Sequence, residues 1–190
     1  MRAAYRSALV AEDDGRIAED YERAVELKPN DVTIRYYRAH WLMESGAYAA
    51  GLENFDKVIQ IVPKHGEAHF GRAKCRYFLD DEASEAEDWE EEEPEVIEAR
   101  NRLVLQDLER ARELGHFDED VAHLLYWVHR DLDGREAAAE ILDRLLEELP
   151  TAMLYRTRAS IRREANNAEG AAADDARADE LYKAETAAAT

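Results

Sequence analysis

Histidine, cysteine and carboxylate side chains are the residues of this 190-residue chain that could carry chemistry. His65 and His69 lie four positions apart, a spacing that places two zinc ligands on one helix face, but no third ligand follows at a matching distance. Cys75 is the single cysteine, and its place on a helix that must pack against other helices predicts a small buried side chain rather than a nucleophile. No glycine-rich phosphate loop, nucleophile elbow or Cys-x-x-Cys pair is present. We therefore expect no metal, no cofactor and no enzymatic activity.

The carboxylates are concentrated in one segment. Residues 80–98 contain twelve acids and no base, so they supply −12 of the formal net charge of −19. Residues 1–79 carry twelve acids and twelve bases and are neutral. A solvated acidic run does not provide the desolvated, opposed carboxylates that catalysis needs. Because the chain has no basic surplus, we expect neither nucleic acid nor an anionic membrane as a partner.

A period of 34 residues organises the elements of the chain. Pro29 and Pro63 are 34 positions apart, and so are His116 and Pro150. The gap from Pro63 to His116 is 53, which is 34 plus 19, and residues 80–98 account for the extra 19. A large apolar residue lies eight positions before each marker and a small or apolar one lies five before it, which places both on one helix face. These residues are Tyr21, Phe55, Leu108 and Leu142 at the first position, and Ala24, Val58, Ala111 and Leu145 at the second.

The unit from Asp31 to Pro63 shows the pattern most clearly. Asp31 can cap a first helix, Gly46 lies where that helix must end, and Pro63 cannot continue a second helix. No alternating apolar pattern of strands occurs, so the sequence predicts an all-α protein.

This unit resembles the 34-residue unit of the tetratricopeptide repeat (TPR) family. The matching residues are Ala39, Leu42, Gly46, Tyr48, Gly51, Phe55, Val58 and Pro63. The resemblance implies a right-handed solenoid of about five helix-turn-helix hairpins that binds a protein or peptide on its concave face without catalysis. We expect a single domain over residues 1–190, with units at 1–29, 30–63, 64–116, 117–150 and 151–184, a tail at 185–190 and the acidic insertion 80–98 within the third.

The same resemblance implies which side chains line the concave face, through the first helix of each unit. In the second and third units they are Tyr36, Tyr37, His40, Phe70 and Lys74. In the fifth unit they are Arg156 and Arg163, and in the fourth Leu124 and Val128 are candidates. Tyrosine and arginine often anchor protein interfaces because they bury a large area and also form hydrogen bonds.

Other interpretations concern the insertion and self-association. Residues 80–98 could be a solvated loop, a divalent-metal loop, or an interaction element in which Trp89 docks on a partner as a secondary contact. Alternative functions are a self-associating homo-oligomer and an acidic decoy that binds a basic protein through this segment. Since no secretion signal or apolar run of about 20 residues is visible, and Cys75 has no partner for a disulfide, we expect a cytoplasmic protein.

Overall fold

The computed structural model describes residues 2–79 and 93–188, with side chains from residue 15 onward except at residues 185 and 188. All regular structure in these ranges is α-helical, as the sequence predicts. The helices are α1 (Arg2–Leu27), α2 (Val32–Glu44), α3 (Tyr48–Ile61), α4 (Gly66–Tyr77), α5 (Pro94–Glu113), α6 (Glu119–Asp133), α7 (Arg135–Glu148), α8 (Ala152–Glu164) and α9 (Ala168–Ala188). They form two compact units, within residues 1–89 and 90–190. None of the described helices is long and apolar enough to cross a membrane.

The first unit is built around the hairpin of α2 and α3, on which α4 packs. Asp31 Oδ1 accepts hydrogen bonds from Thr33 N (3.1 Å) and Ile34 N (3.2 Å), which caps α2. Gly46, just beyond α2, has a φ of +83°, a conformation that glycine adopts without strain. Both ends of α2 therefore follow from local sequence chemistry.

Small side chains let the helices of the first unit approach closely. Ala39 is fully buried, and a Cβ added to Gly51 would lie 3.4 Å from the Ala39 carbonyl oxygen and 3.0 Å from Cys75 Sγ. Cys75 is buried in this contact, which confirms it as a small core residue. Phe55 and Val58 complete the core between α2, α3 and α4.

The second unit contains α5 to α9, with the neighbouring pairs α6–α7 and α8–α9 in antiparallel contact. Asp118 caps α6, because its Oδ1 accepts a hydrogen bond from Val121 N (3.0 Å), and Thr151 caps α8. Gly134, with a φ of +87°, connects α6 to α7. Leu108, Leu142 and Leu154 are fully buried between the helices.

Two helices differ from the boundaries that the repeat predicts. Residues 2–27 form one continuous helix where the first unit predicts a helix pair, since a single Gly15 weakens a helix without ending it. α5 begins at Pro94, inside the segment 80–98 that is predicted to be an insertion. Proline is favoured at the first turn of a helix, so residues 94–98 of the acidic segment belong to α5. Residues 80–92, with Trp89, lie outside the described residues.

The two histidines with zinc-like spacing have local partners in the first unit. His65 is the N-cap of α4, and its Nδ1 accepts a hydrogen bond from Ala68 N (3.3 Å). His69 is buried, and its Nε2 lies 3.1 Å from the Pro63 carbonyl oxygen, to which it donates. Both histidines therefore form hydrogen bonds at the start of α4.

Candidate functional site

The helix caps give one register for the four helices that carry the predicted site residues. The N-cap residues of α2, α4, α6 and α8 are Asp31, His65, Asp118 and Thr151. Counting from each cap shows which side chains take equivalent positions. The residues five positions after the caps are Tyr36, Phe70, His123 and Arg156. The residues nine positions after the caps are His40, Lys74, Trp127 and Ser160.

In the first unit the structure brings the three predicted residues of α2 together. The Tyr36 ring lies 5.5 Å from the Tyr37 ring and 6.4 Å from the His40 ring, between centroids. Tyr36 also stacks on His65 at 5.0 Å, so it is partly a packing residue. Its burial, together with the nearby Glu67, raises the pKa of Tyr36 to about 12. Tyr37 is 57% exposed and His40 is also exposed, so both side chains are available to a partner.

The predicted residues of α4 are half-buried beside the same helix. Lys74 Nζ lies 3.3 Å from Glu44 Oε1 at the end of α2, so the lysine forms an ion pair that links the two helices. Phe70 is half-buried. The first unit therefore offers an aromatic surface with a paired cation.

The second unit contains a groove of about 660 Å³ between α6 and α8, closed by the start of α7 and by Tyr182 of α9. Its lining includes Tyr126, Trp127 and Arg130 from α6, and Arg156 from α8. Grooves of this size fall within the range of known ligand sites.

Trp127 is held in a defined orientation in this groove. Its Nε1 donates a hydrogen bond to His123 Nε2 (2.9 Å), one helical turn earlier. The Arg130 guanidinium carbon lies 4.2 Å from the centroid of the indole ring, within range of a cation–π interaction. Burial lowers the pKa of His123, although Asp120 and Glu119 oppose this effect. The neutral imidazole is therefore the form that accepts the indole N–H.

Of the two predicted arginines, one lines the groove. Arg156 is exposed at its rim, with Nη2 3.5 Å from Asp179 Oδ1. Arg163 lies outside the groove lining and forms an ion pair with Asp175 of α9.

The two candidates predicted from the sequence for the concave face of the fourth unit do not line the groove. Leu124 and Val128 are buried in the core, whereas Trp127 and Arg130 line the groove. Counted from the cap at Asp118, the positions of Tyr36 and His40 correspond to His123 and Trp127, one residue before the two candidates. The matching pair Asp31 and Asp118, each two residues after a repeat marker, is the signal that would have identified Trp127.

Comparisons with known proteins bear on the fold. No protein-family model matches the sequence, and no curated protein matches it. The crystal structure of MamA is 15% identical, with 93% of each chain covered and a TM-score of 0.68. MamA 41-end from Desulfovibrio magneticus RS-1 is 16% identical, covering 96% of this chain and 93% of that one, with a TM-score of 0.66. TTC0263, a thermophilic TPR protein in Thermus thermophilus, is 20% identical, covering 85% of this chain and 79% of that one, with a TM-score of 0.63.

The chain has the TPR fold. In TPR terms α2–α3, α6–α7 and α8–α9 are helix hairpins, and α2, α6 and α8 are their first helices. The buried Ala39 and Ala159 take the small-residue position of the TPR unit, eight residues after the cap, where α6 has the larger Tyr126.

We expect His123 to make the TPR hairpin of α6 and α7 sensitive to acid. Its pKa is lower in the folded chain than the value near 6.5 of an unfolded chain, so the unfolded state takes up a proton first as the pH falls. Stability is then fully present above about pH 6.5 and is lost as the pH falls from there through the folded-state pKa. Urea unfolding at neutral and at mildly acidic pH measures how much the free energy of unfolding falls on acidification. This decrease should be smaller for His123→Gln than for the parent chain.

The matched control is His40→Gln, which removes an exposed histidine from α2. It shows how the loss of an imidazole outside the α6–α7 hairpin affects the same measurement. An equal decrease in the parent chain and in His123→Gln would contradict the expectation.

Proposed function

We propose that this chain is a non-catalytic protein-interaction module that binds a segment of a partner protein on the face formed by the first helices of its TPR hairpins. The observation that carries the proposal is the groove between α6 and α8, with Trp127, Arg130 and Arg156 at its surface. The few residues that carry most of the binding energy in protein interfaces are enriched in tryptophan, tyrosine and arginine. In the first unit, taken by itself, the proposed contacts are Tyr37, Phe70 and Lys74.

Two features support binding rather than catalysis. The groove is lined by aromatic rings and by charges that are paired or solvent-exposed. His123, which is hydrogen-bonded to Trp127 of the lining, uses its acceptor nitrogen to orient that ring. Such an arrangement suits the holding of a ligand, because the imidazole nitrogen that could act as a base is already hydrogen-bonded to Trp127.

The test uses a random peptide library displayed on phage and panned against the intact chain. We expect enriched peptides whose binding is lost in the double variant Tyr37→Ala, Trp127→Ala, because both anchors are removed. A substitution of an interface anchor typically costs about 2 kcal/mol or more. The readout is the dissociation constant of a synthetic enriched peptide, measured by calorimetry.

The control variant is Ile61→Ala, which shortens an exposed apolar side chain on the second helix α3. It should bind the peptide like the parent chain. Equal binding by the double variant, with its helical circular dichroism intact, would refute the proposed face.

A further inference from the structure

We infer that the groove between α6 and α8 takes an acidic protein segment that carries one large apolar side chain. The inference rests on the proposed function and names the class of partner for it. The arrangement of charge and of aromatic surface within the second unit carries it.

The groove has a cationic lining in an acidic chain. The lining contains three arginines and two glutamates, whereas the whole chain has 44 acidic and 25 basic residues. Both glutamates have local partners: Glu119 Oε1 accepts a hydrogen bond from Met153 N (3.0 Å), and Glu164 Oε2 lies 2.7 Å from Arg135 Nη1. Because Arg135 is paired with Glu164, the lining cations that remain for a ligand carboxylate are Arg130 and Arg156.

The acidic partners of these two arginines lie outside the groove lining, and their N···O distances are long for an ion pair. Arg130 Nε lies 3.7 Å from Asp131 Oδ1, and Arg156 Nη2 lies 3.5 Å from Asp179 Oδ1. Charge-assisted hydrogen bonds are normally about 2.7–2.9 Å long, so a ligand carboxylate can form closer contacts than those already made. Exposed ion pairs contribute little, and their loss on binding costs little.

Aromatic rings lie beside both guanidinium groups. The Arg130 guanidinium carbon is 4.2 Å from the Trp127 ring, and that of Arg156 is 5.9 Å from the Tyr182 ring, measured to the centroids. The Trp127 N–H is already bound to His123, so the indole presents its hydrocarbon surface to the groove. A ligand that combines carboxylates with one apolar side chain matches both features.

A polypeptide fits this surface better than a nucleic acid. Binding to a phosphate backbone relies on many cationic contacts, and two available arginines in a chain of net charge −19 do not supply them. Specific contact with one apolar side chain and a few carboxylates needs no such surplus.

The test measures fluorescence anisotropy of a labelled short peptide composed of glutamate, aspartate and serine with one central phenylalanine. We expect the intact chain to bind it, and to bind less well a peptide with lysine for the acids or with serine for the phenylalanine. The double variant Arg130→Gln, Arg156→Gln should weaken binding by about tenfold or more, since two charge-assisted hydrogen-bonding groups are removed. Raised salt should weaken binding in the parent chain more than in this variant.

Matched controls separate the groove from net charge and from folding. The double variant Arg144→Gln, Arg177→Gln removes the same charge from exposed positions on α7 and α9 and should bind like the parent chain. Arg130→Lys, Arg156→Lys keeps the charge without the planar guanidinium groups and should retain part of the binding.

Three results would overturn the inference. The first is equal affinity in the glutamine variant of Arg130 and Arg156, and the second is preferential binding of a labelled single-stranded oligonucleotide. The third is failure of the acidic peptide while a library peptide of other composition binds the same groove; the proposed function then stands and the partner class is wrong. If no library peptide binds either, both proposals fail.

Discussion

Replacing Asp174 with alanine is expected to lower the free energy of unfolding by about 3 kcal/mol, the lower end of the cost of breaking a buried ion pair. Asp174 is 3% exposed on α9. Its carboxylate accepts hydrogen bonds from Arg158 Nε (3.0 Å) and Nη2 (2.8 Å), and Arg162 Nη1 lies 2.8 Å from Oδ2. These bonds raise the pKa of the Arg158 guanidinium, which therefore stays charged. Without Asp174, both arginines lose their shared partner.

Arg158 keeps one ion pair in this variant, with Asp143 of α7 at 2.7 Å, which limits the loss. The control is Asp175→Ala, the adjacent residue, whose partner Arg163 is exposed. That change should cost less than about 1 kcal/mol. Urea unfolding followed by circular dichroism compares the two. Similar midpoints for both variants would show that the buried network does not hold α7, α8 and α9 together.

Replacing Phe55 with alanine should destabilise the first unit by about 3–5 kcal/mol, the usual cost of removing a buried phenylalanine. Phe55 is 1% exposed and packs edge-on against Tyr36 of α2 at 6.2 Å between centroids. Its ring also covers Gly71 of α4, where an added Cβ would lie 2.3 Å from Phe55 Cζ. One side chain therefore joins three helices. Ile61→Ala on the exposed surface of α3 is the control and should have a much smaller effect.

The contact between Phe55 and Gly71 can be tested by a double-mutant cycle. Gly71→Ala should cost about 1–3 kcal/mol in the parent chain, since the methyl group overlaps the Phe55 ring. In the Phe55→Ala background the same change should cost much less, because the space is empty. The coupling is read from urea unfolding of the four proteins. Additive losses would show that Phe55 and Gly71 do not pack as described.

The parts of the fold that were predictable depend on local chemistry. The hairpin from Asp31 to Pro63 follows from a capping aspartate, a glycine with positive φ and a proline, each of which acts within a few residues. The continuous α1 was not predictable from the repeat, because Gly15 interrupts the pattern without enough cost to end a helix. Pro94 begins α5 inside an acidic run that gave little apolar signal.

The candidate site was predictable where the register was clear. Tyr36, Tyr37 and His40 lie together as the TPR resemblance implies. In α6, Tyr126 takes a position that usually holds a small residue, which obscured the register and hid Trp127. The network of Asp174, Arg158 and Arg162 joins residues of different helices and has no signature in a single sequence.

The most direct test of the central claim, that first helices form the binding face, is site-specific photo-crosslinking to a library-selected peptide. A benzophenone amino acid replaces Tyr37 or Trp127 on first helices, and Ile61 or Arg144 on second helices. If first helices form the binding face, a peptide adduct is expected from Tyr37 or Trp127, and none from Ile61 or Arg144. Adducts formed at Ile61 or Arg144, with none at Tyr37 and Trp127, would contradict this claim.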